Sequence, residues 1–140
     1  MILGSLIGSW LLRRSIDNGA SMSGTATIAR QGTGGFAYHE RGWLRLTDGQ
    51  EIDAERRYLF EECDGGFSVF FAESPPRLFH RVVLDPIGSS LVGEGMHLCG
   101  DDRYDSRYRF DADGSFTIEH AVSGPRKQYT METLYTRCLT

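Results

Sequence analysis

Arg103-Tyr104-Asp105-Ser106-Arg107-Tyr108-Arg109-Phe110 alternates without a break. In an extended chain Tyr104, Tyr108 and Phe110 share one face, and Arg103, Asp105, Arg107 and Arg109 share the other. That period of two marks a β-strand with one face buried and one in water. Asp111-Ala112-Asp113-Gly114 follows at once. Aligned to a calcium loop, it would put Arg109 at the first position and His120 at the last, neither of which is a carboxylate. It reads instead as the turn of a hairpin.

The same pattern recurs on both sides. Turn residues interrupt the chain at Asp17-Asn18-Gly19, Gly32-Thr33-Gly34-Gly35, Thr47-Asp48-Gly49, Asp64-Gly65-Gly66, Ser74-Pro75-Pro76, Asp85-Pro86 with Gly88, Gly100-Asp101, Asp111–Gly114 and Gly124-Pro125. These breaks predict ten strands, near 8–16, 22–30, 36–46, 54–62, 67–72, 78–84, 92–99, 103–110, 115–122 and 127–138. Short breaks force antiparallel hairpins, because a parallel return needs a long crossover. Ten consecutive hairpin-linked strands form an all-β, up-and-down meander, and closing it into a barrel removes exposed edges.

At 140 residues, residues 1–140 read as one domain able to bury a core without metal or disulfide. A hydrophobic content of 40% with 24% charged residues suits a soluble globule. The net charge of −4, with basic residues scattered among Asp101, Asp102 and Asp105, argues against nucleic acid and anionic membranes as partners. The apolar start, Met1 to Leu12, is interrupted by Gly4, Ser5, Gly8 and Ser9 and lacks a basic leader. It reads as a short helical turn carrying Leu3 and Leu6, not as a signal peptide or a membrane span. Cys63, Cys99 and Cys138 are odd in number and lack metal-type spacing, so reduced thiols in a cytoplasm are expected.

Two ends of the chain carry a resemblance. Gly8-Ser9-Trp10 opens the first strand and Arg137 lies in the last. A Gly-x-Trp with a late Arg resembles the closed end of calycin barrels, the lipocalins and their relatives. The resemblance implies a Trp10 ring plugging the floor under a stacked Arg137 guanidinium. The motifs Leu6-x-Gly8-x-Trp10-x-Leu12-x-Arg14-x-Ile16, Tyr38-x-Glu40-x-Gly42, Arg56-x-Tyr58-x-Phe60 and Phe79-His80 extend it. So do His97-x-Cys99-x-x-Asp102-x-Tyr104, Gly124-Pro125-Arg126-Lys127-x-Tyr129 and Tyr135-x-Arg137. Together they resemble a bacterial domain family of lipocalin-like shape without an assigned activity. The expected fold is therefore a lipocalin-like (calycin) up-and-down antiparallel β-barrel of about ten strands with a short N-terminal helical turn.

Alternation assigns the interior. The first strand sends Trp10, Leu12, Arg14 and Ile16 inward, and the third sends Phe36, Tyr38, Glu40, Leu44 and Leu46. Arg56, Tyr58 and Phe60 follow from the fourth, and Phe116, Ile118, His120 and Val122 from the ninth. The last contributes Tyr129, Met131, Thr133, Tyr135, Arg137 and Leu139. This interior is more polar than a packed core requires, and buried charges are costly unless paired. Glu40 and Arg56, on neighbouring strands and the same face, are the expected salt bridge.

With Trp10 at the floor, Arg14, Arg56, His97, Tyr104 and Lys127 all fall in the upper half. An apolar cavity with a cationic mouth suits a small anionic or polar-aromatic organic ligand. In this reading Arg14, Arg56 and Lys127 supply charge. His80, His97, Tyr104 and Tyr129 orient the guest. Phe60, Phe71, Tyr108 and Phe110 form walls, with Tyr58 and His120 beside them.

His97-x-Cys99 with His80 lacks a fourth ligand, so no metal site is expected and Cys99 reads as a small wall residue. No cofactor is called for. Some ten-stranded calycin-like barrels hold haem on an axial histidine, for which His80, His97 and His120 are the candidates. No nucleophile elbow, phosphate loop or dinucleotide fingerprint occurs. The alternatives to a binding barrel are an acid–base isomerase, cyclase or hydrolase using His97 or His80, and a structural or interaction barrel forming a homodimer.

Overall fold

A computed structural model describes residues 2–138. Leu139, expected inward on the last strand, lies outside the described residues. A helical turn α1 (Ile2–Ser5) precedes β1 (Gly8–Ile16), β2 (Ser21–Gln31), β3 (Gly35–Arg45), β4 (Glu51–Cys63) and β5 (Gly66–Phe71). Then come β6 (Arg77–Ile87), β7 (Ser90–Cys99), β8 (Asp102–Phe110), β9 (Phe116–Ser123) and β10 (Gln128–Arg137). Every strand pairs with its sequence neighbours, and β1 pairs with β10, so the meander closes into a ten-stranded antiparallel barrel. The fold class expected from the turns and alternation is the one observed. Among the described residues, no helix is long and apolar enough to cross a membrane.

One break falls elsewhere. Asp85 and Pro86 do not turn the chain; they pair with Val92 and Leu91 inside the β6–β7 ladder. Gly88, at φ +61°, and Ser89 make the turn instead. Proline is tolerated there because it stands next to the closing turn, at the end of the strand.

At the floor, Trp10 and Arg137 come together. Trp10 is fully buried, donates from Nε1 to the Leu6 carbonyl at 2.9 Å and meets Phe116 edge-on with ring centroids 4.8 Å apart. The Arg137 guanidinium lies 4.0 Å from the centre of the Trp10 ring. It also donates to the carbonyls of Ile7 and Ser5, each at 2.8 Å, tying α1 across the barrel end. Leu3 and Leu6 of that segment are buried against the same core.

Gly24 and Gly42 face one another across the β2–β3 ladder. A Cβ on Gly24 would come 2.7 Å from the Gly42 Cα, and one on Gly42 would come 2.8 Å from the Gly24 Cα. The two backbones therefore approach as closely as they do only because both residues lack a side chain.

Candidate functional site

The barrel is filled unevenly. Its lower half is a packed aromatic column: Phe116 stacks on Tyr135 at 4.3 Å, and Phe67 meets Tyr108 and Phe110 edge-on. The upper half is hollow. A cavity of about 390 Å³ is lined by Tyr58, Phe71, Phe79, His97, Tyr104 and His120, with Arg57, Arg77 and Cys99 around it. A second, of about 270 Å³, adjoins it and is lined by Arg14, Met22, Glu40, Leu44 and Ala54. Arg56, Tyr129 and Met131 line both lobes.

Beneath them lies a buried polar network. Arg14 grips Glu40 with two parallel bonds, Nη1 to Oε2 at 2.8 Å and Nη2 to Oε1 at 2.9 Å. Arg14 Nε also donates to Thr133 Oγ1 at 2.8 Å. Tyr38 donates to Glu40 Oε1 at 2.6 Å, and its hydroxyl meets that of Tyr135 at 2.7 Å. Burial would push the Glu40 carboxyl up, but the hydrogen bonds and charge of Arg14 hold it below the ordinary range. Burial raises Tyr135 to about 12, with the Glu40 charge adding to it.

The expected Glu40–Arg56 bridge is thus replaced by Glu40–Arg14. Glu40 and Arg56 are opposite one another in the β3–β4 register, as alternation implied. The carboxylate turns toward Arg14 across β2, where Gly24 and Ala26 leave the guanidinium a path and Met22, opposite Arg14, accepts from its Nη1 through Sδ at 3.4 Å. Arg14, expected as a mouth cation, is therefore buried and neutralised.

Lys127 lies at the exposed β9–β10 turn, 3.5 Å from Asp102, and lines neither lobe. Phe60 and Tyr108 line neither lobe; both border a small void of about 20 Å³ beneath them, and Phe110 packs in the aromatic column. Cys99 lines the cavity while exposed to solvent, rather than serving as a buried wall residue.

Two histidines are held by hydroxyls. His80 Nε2 lies 2.7 Å from the Tyr108 hydroxyl, and His120 Nδ1 lies 2.6 Å from Ser106 Oγ. Burial, then His120 and His97, lower His80 to about 3. Burial, then the charges of Arg14 and Arg56, lower His120 to about 4. Both are neutral near pH 7. An unfolded chain protonates its histidines near 6.5. Folding is therefore favoured by these groups above about pH 6.5, and that contribution is lost as pH falls toward their native values. We expect the imidazole proton shifts of His80 and His120 to stay constant from pH 8 to pH 5. A midpoint between 6 and 7 for either one would contradict this burial.

Sequence reasoning did not anticipate Phe79 in the cavity. Phe79 and His80 are consecutive, yet both are buried. The β5–β6 register shifts between Val69 and Phe70, inserting an extra β6 residue. Such a bulge breaks the alternation and lets neighbouring side chains face the same way. Arg57 and Arg77 were also missed, since alternation placed neither inside.

Residues 6–137 match a family model throughout. The chain belongs to DUF6314, a family of unknown function. No curated protein matches it. Among solved structures, this DUF6314 barrel is similar to a de novo designed fluorescence-activating β-barrel at 12% identity and a TM-score of 0.50. That match covers 97% of this chain and 96% of the other. A redesigned β-barrel, mFAP1, bound to DFHBI, is similar at 12% identity and a TM-score of 0.49, covering 96% of this chain and 97% of the other. At such identity the likeness is one of fold.

Proposed function

We propose that this DUF6314 chain binds a small anionic or polar-aromatic molecule in the upper cavity, with the anion on Arg56. The observation that carries the reading is the state of the cations around the cavity. Arg14 is paired with Glu40, Arg57 with Glu55 and Arg77 with Glu73. Among the described residues Arg56 has no carboxylate partner; its Nη1 donates to the Tyr58 hydroxyl at 3.4 Å. An unpaired guanidinium over aromatic walls suits a planar acid, which it binds bidentately while the rings stack on the remainder. Tyr58 and Phe79 already lie parallel, 6.0 Å apart. Tyr104, Tyr129, His97 and His120 provide the polar contacts that orient the guest.

The Trp10–Arg137 closure supports placing the barrel among the lipocalin-like calycins. We read the chain as a cytoplasmic binding protein with reduced cysteines and no cofactor. A second reading is favoured by Ser106, which fixes the ring of a neutral His120 in the same cavity. A neutral ring so held can accept a proton from a bound acid, though burial makes it a weak base near pH 7.

The test is titration with 8-anilinonaphthalene-1-sulfonate, an aromatic anion whose fluorescence reports burial. Arg56→Gln is expected to weaken binding about tenfold or more, the worth of one charge-assisted hydrogen bond. Its melting temperature should stay unchanged, since Arg56 is solvent-exposed. Equal affinity in both proteins overturns the assignment. A Soret band in protein purified gently from cells would replace it with haem binding.

A further inference from the structure

The barrel wall is not hydrogen-bonded along its whole height. The β6–β7 ladder runs from Ile87–Ser90 up to Val83–Glu94 and stops there. Above that level Arg77–Val82 pair only with β5, and Gly95–Cys99 pair only with β8. The bulge in β6 lies in this stretch. The base of the resulting notch is filled by His80, whose ring packs so closely on Gly95 that a Cβ there would come within 2.8 Å of it.

Inside the notch are aromatic side chains of the cavity. Phe79 and His97 face each other across it with ring centroids 5.3 Å apart, and Phe71 lies 5.6 Å from His97. Outside, the flanking residues are apolar and in water: Leu78 is 49% exposed, Met96 45% and Leu98 61%. The apolar lining of the cavity therefore continues through the wall onto the outer surface. Separating Phe79 from His97 requires side-chain rotation and breaks no β6–β7 ladder bond.

We propose that the ligand is an amphiphile, its anionic head on Arg56 and its apolar chain leaving sideways through the β6–β7 notch to lie on Leu78, Met96 and Leu98. This rests on the Arg56 reading and adds the chemical class of the guest. A compact acid would leave the outer apolar residues unused. A chain of several methylenes covers them and keeps its head in the cationic lobe. Each methylene removed from water strengthens binding about fourfold when fully buried.

The test compares butyl, octyl and dodecyl sulfonates, below their micelle concentrations, as competitors of the anilinonaphthalene probe. Natural protein, Arg56→Gln and the double variant Leu78→Gln/Leu98→Gln are used. Affinity is expected to rise from butyl to dodecyl by at least a hundredfold. In the double variant that ratio should fall at least tenfold, with butyl sulfonate binding and the melting temperature unchanged. An unaltered ratio in the double variant, or no dependence on chain length in the natural protein, overturns the notch while the Arg56 site stands. Binding of no sulfonate, or equal binding by Arg56→Gln, overturns both.

Discussion

Glu40→Gln is expected to destabilise the barrel by about 3–5 kcal/mol, the usual cost of removing one partner from a buried ion pair. The introduced amide would keep the shape and could still accept from Tyr38 and Arg14. It would lose the charge that compensates a guanidinium whose side chain is only 8% exposed. For a domain of this size that corresponds to a fall in melting temperature of about 10–20 °C. The pair also couples stability to acid. Because Arg14 holds the Glu40 carboxyl below its unfolded value, its contribution is complete above the ordinary carboxylate range and is lost as pH falls through the lowered native value.

A double-mutant cycle separates the pair from its neighbours. Arg14→Met with Glu40→Leu should be more stable than Glu40→Leu alone, because the orphaned charge is gone. Urea unfolding of the four proteins measures this directly. A cost under about 1 kcal/mol for Glu40→Gln, or strict additivity in the cycle, would mean that water entering from the adjoining lobe already screens Arg14.

Trp10→Ala should cost about as much, roughly 3–5 kcal/mol, through lost transfer energy and the cavity left behind. The ring is fully buried, bonds to Leu6 and closes the column at Phe116. Arg137→Gln should cost less, on the order of 1 kcal/mol, because its guanidinium is exposed and a solvated cation–π contact is weak. The order is the diagnostic. Equal losses from the two variants in thermal melts would show that the floor is held by the arginine's ties to Ser5 and Ile7 and not by the ring.

Much of the barrel is legible without coordinates. Alternation at Arg103–Phe110 and turn clusters about every ten to fifteen residues fix the strand count, the antiparallel order and the inward set. Phe36, Tyr38, Tyr108, Phe116, Ile118 and Tyr135 are all buried as alternation requires. Glycine, proline and aspartate act through local backbone geometry, which the sequence states directly. Pro86 shows the limit of that logic: proline near a strand end does not have to turn the chain.

The site was less legible, and the reasons are particular. Arg14, Arg56 and Lys127 look alike as inward or rim cations, but each meets a different fate. Arg14 reaches across β2 to Glu40, Lys127 swings to Asp102 at the turn, and of the three, among the described residues, Arg56 stands over the cavity without a carboxylate partner. Alternation gives a side chain's direction but not its reach, and partners two strands away follow only once the barrel has closed.

Period and turn chemistry, both written along the chain, account for the all-β meander, the face that each regular strand buries, and the aromatic and polar stock of the interior. The Arg14–Glu40 pairing, the paired entry of Phe79 and His80, and the notch beside β7 come into being only when the folded barrel brings distant strands together. They depend on ladder register and on the space between those strands. A single bulge alters both without leaving a mark in the residue pattern.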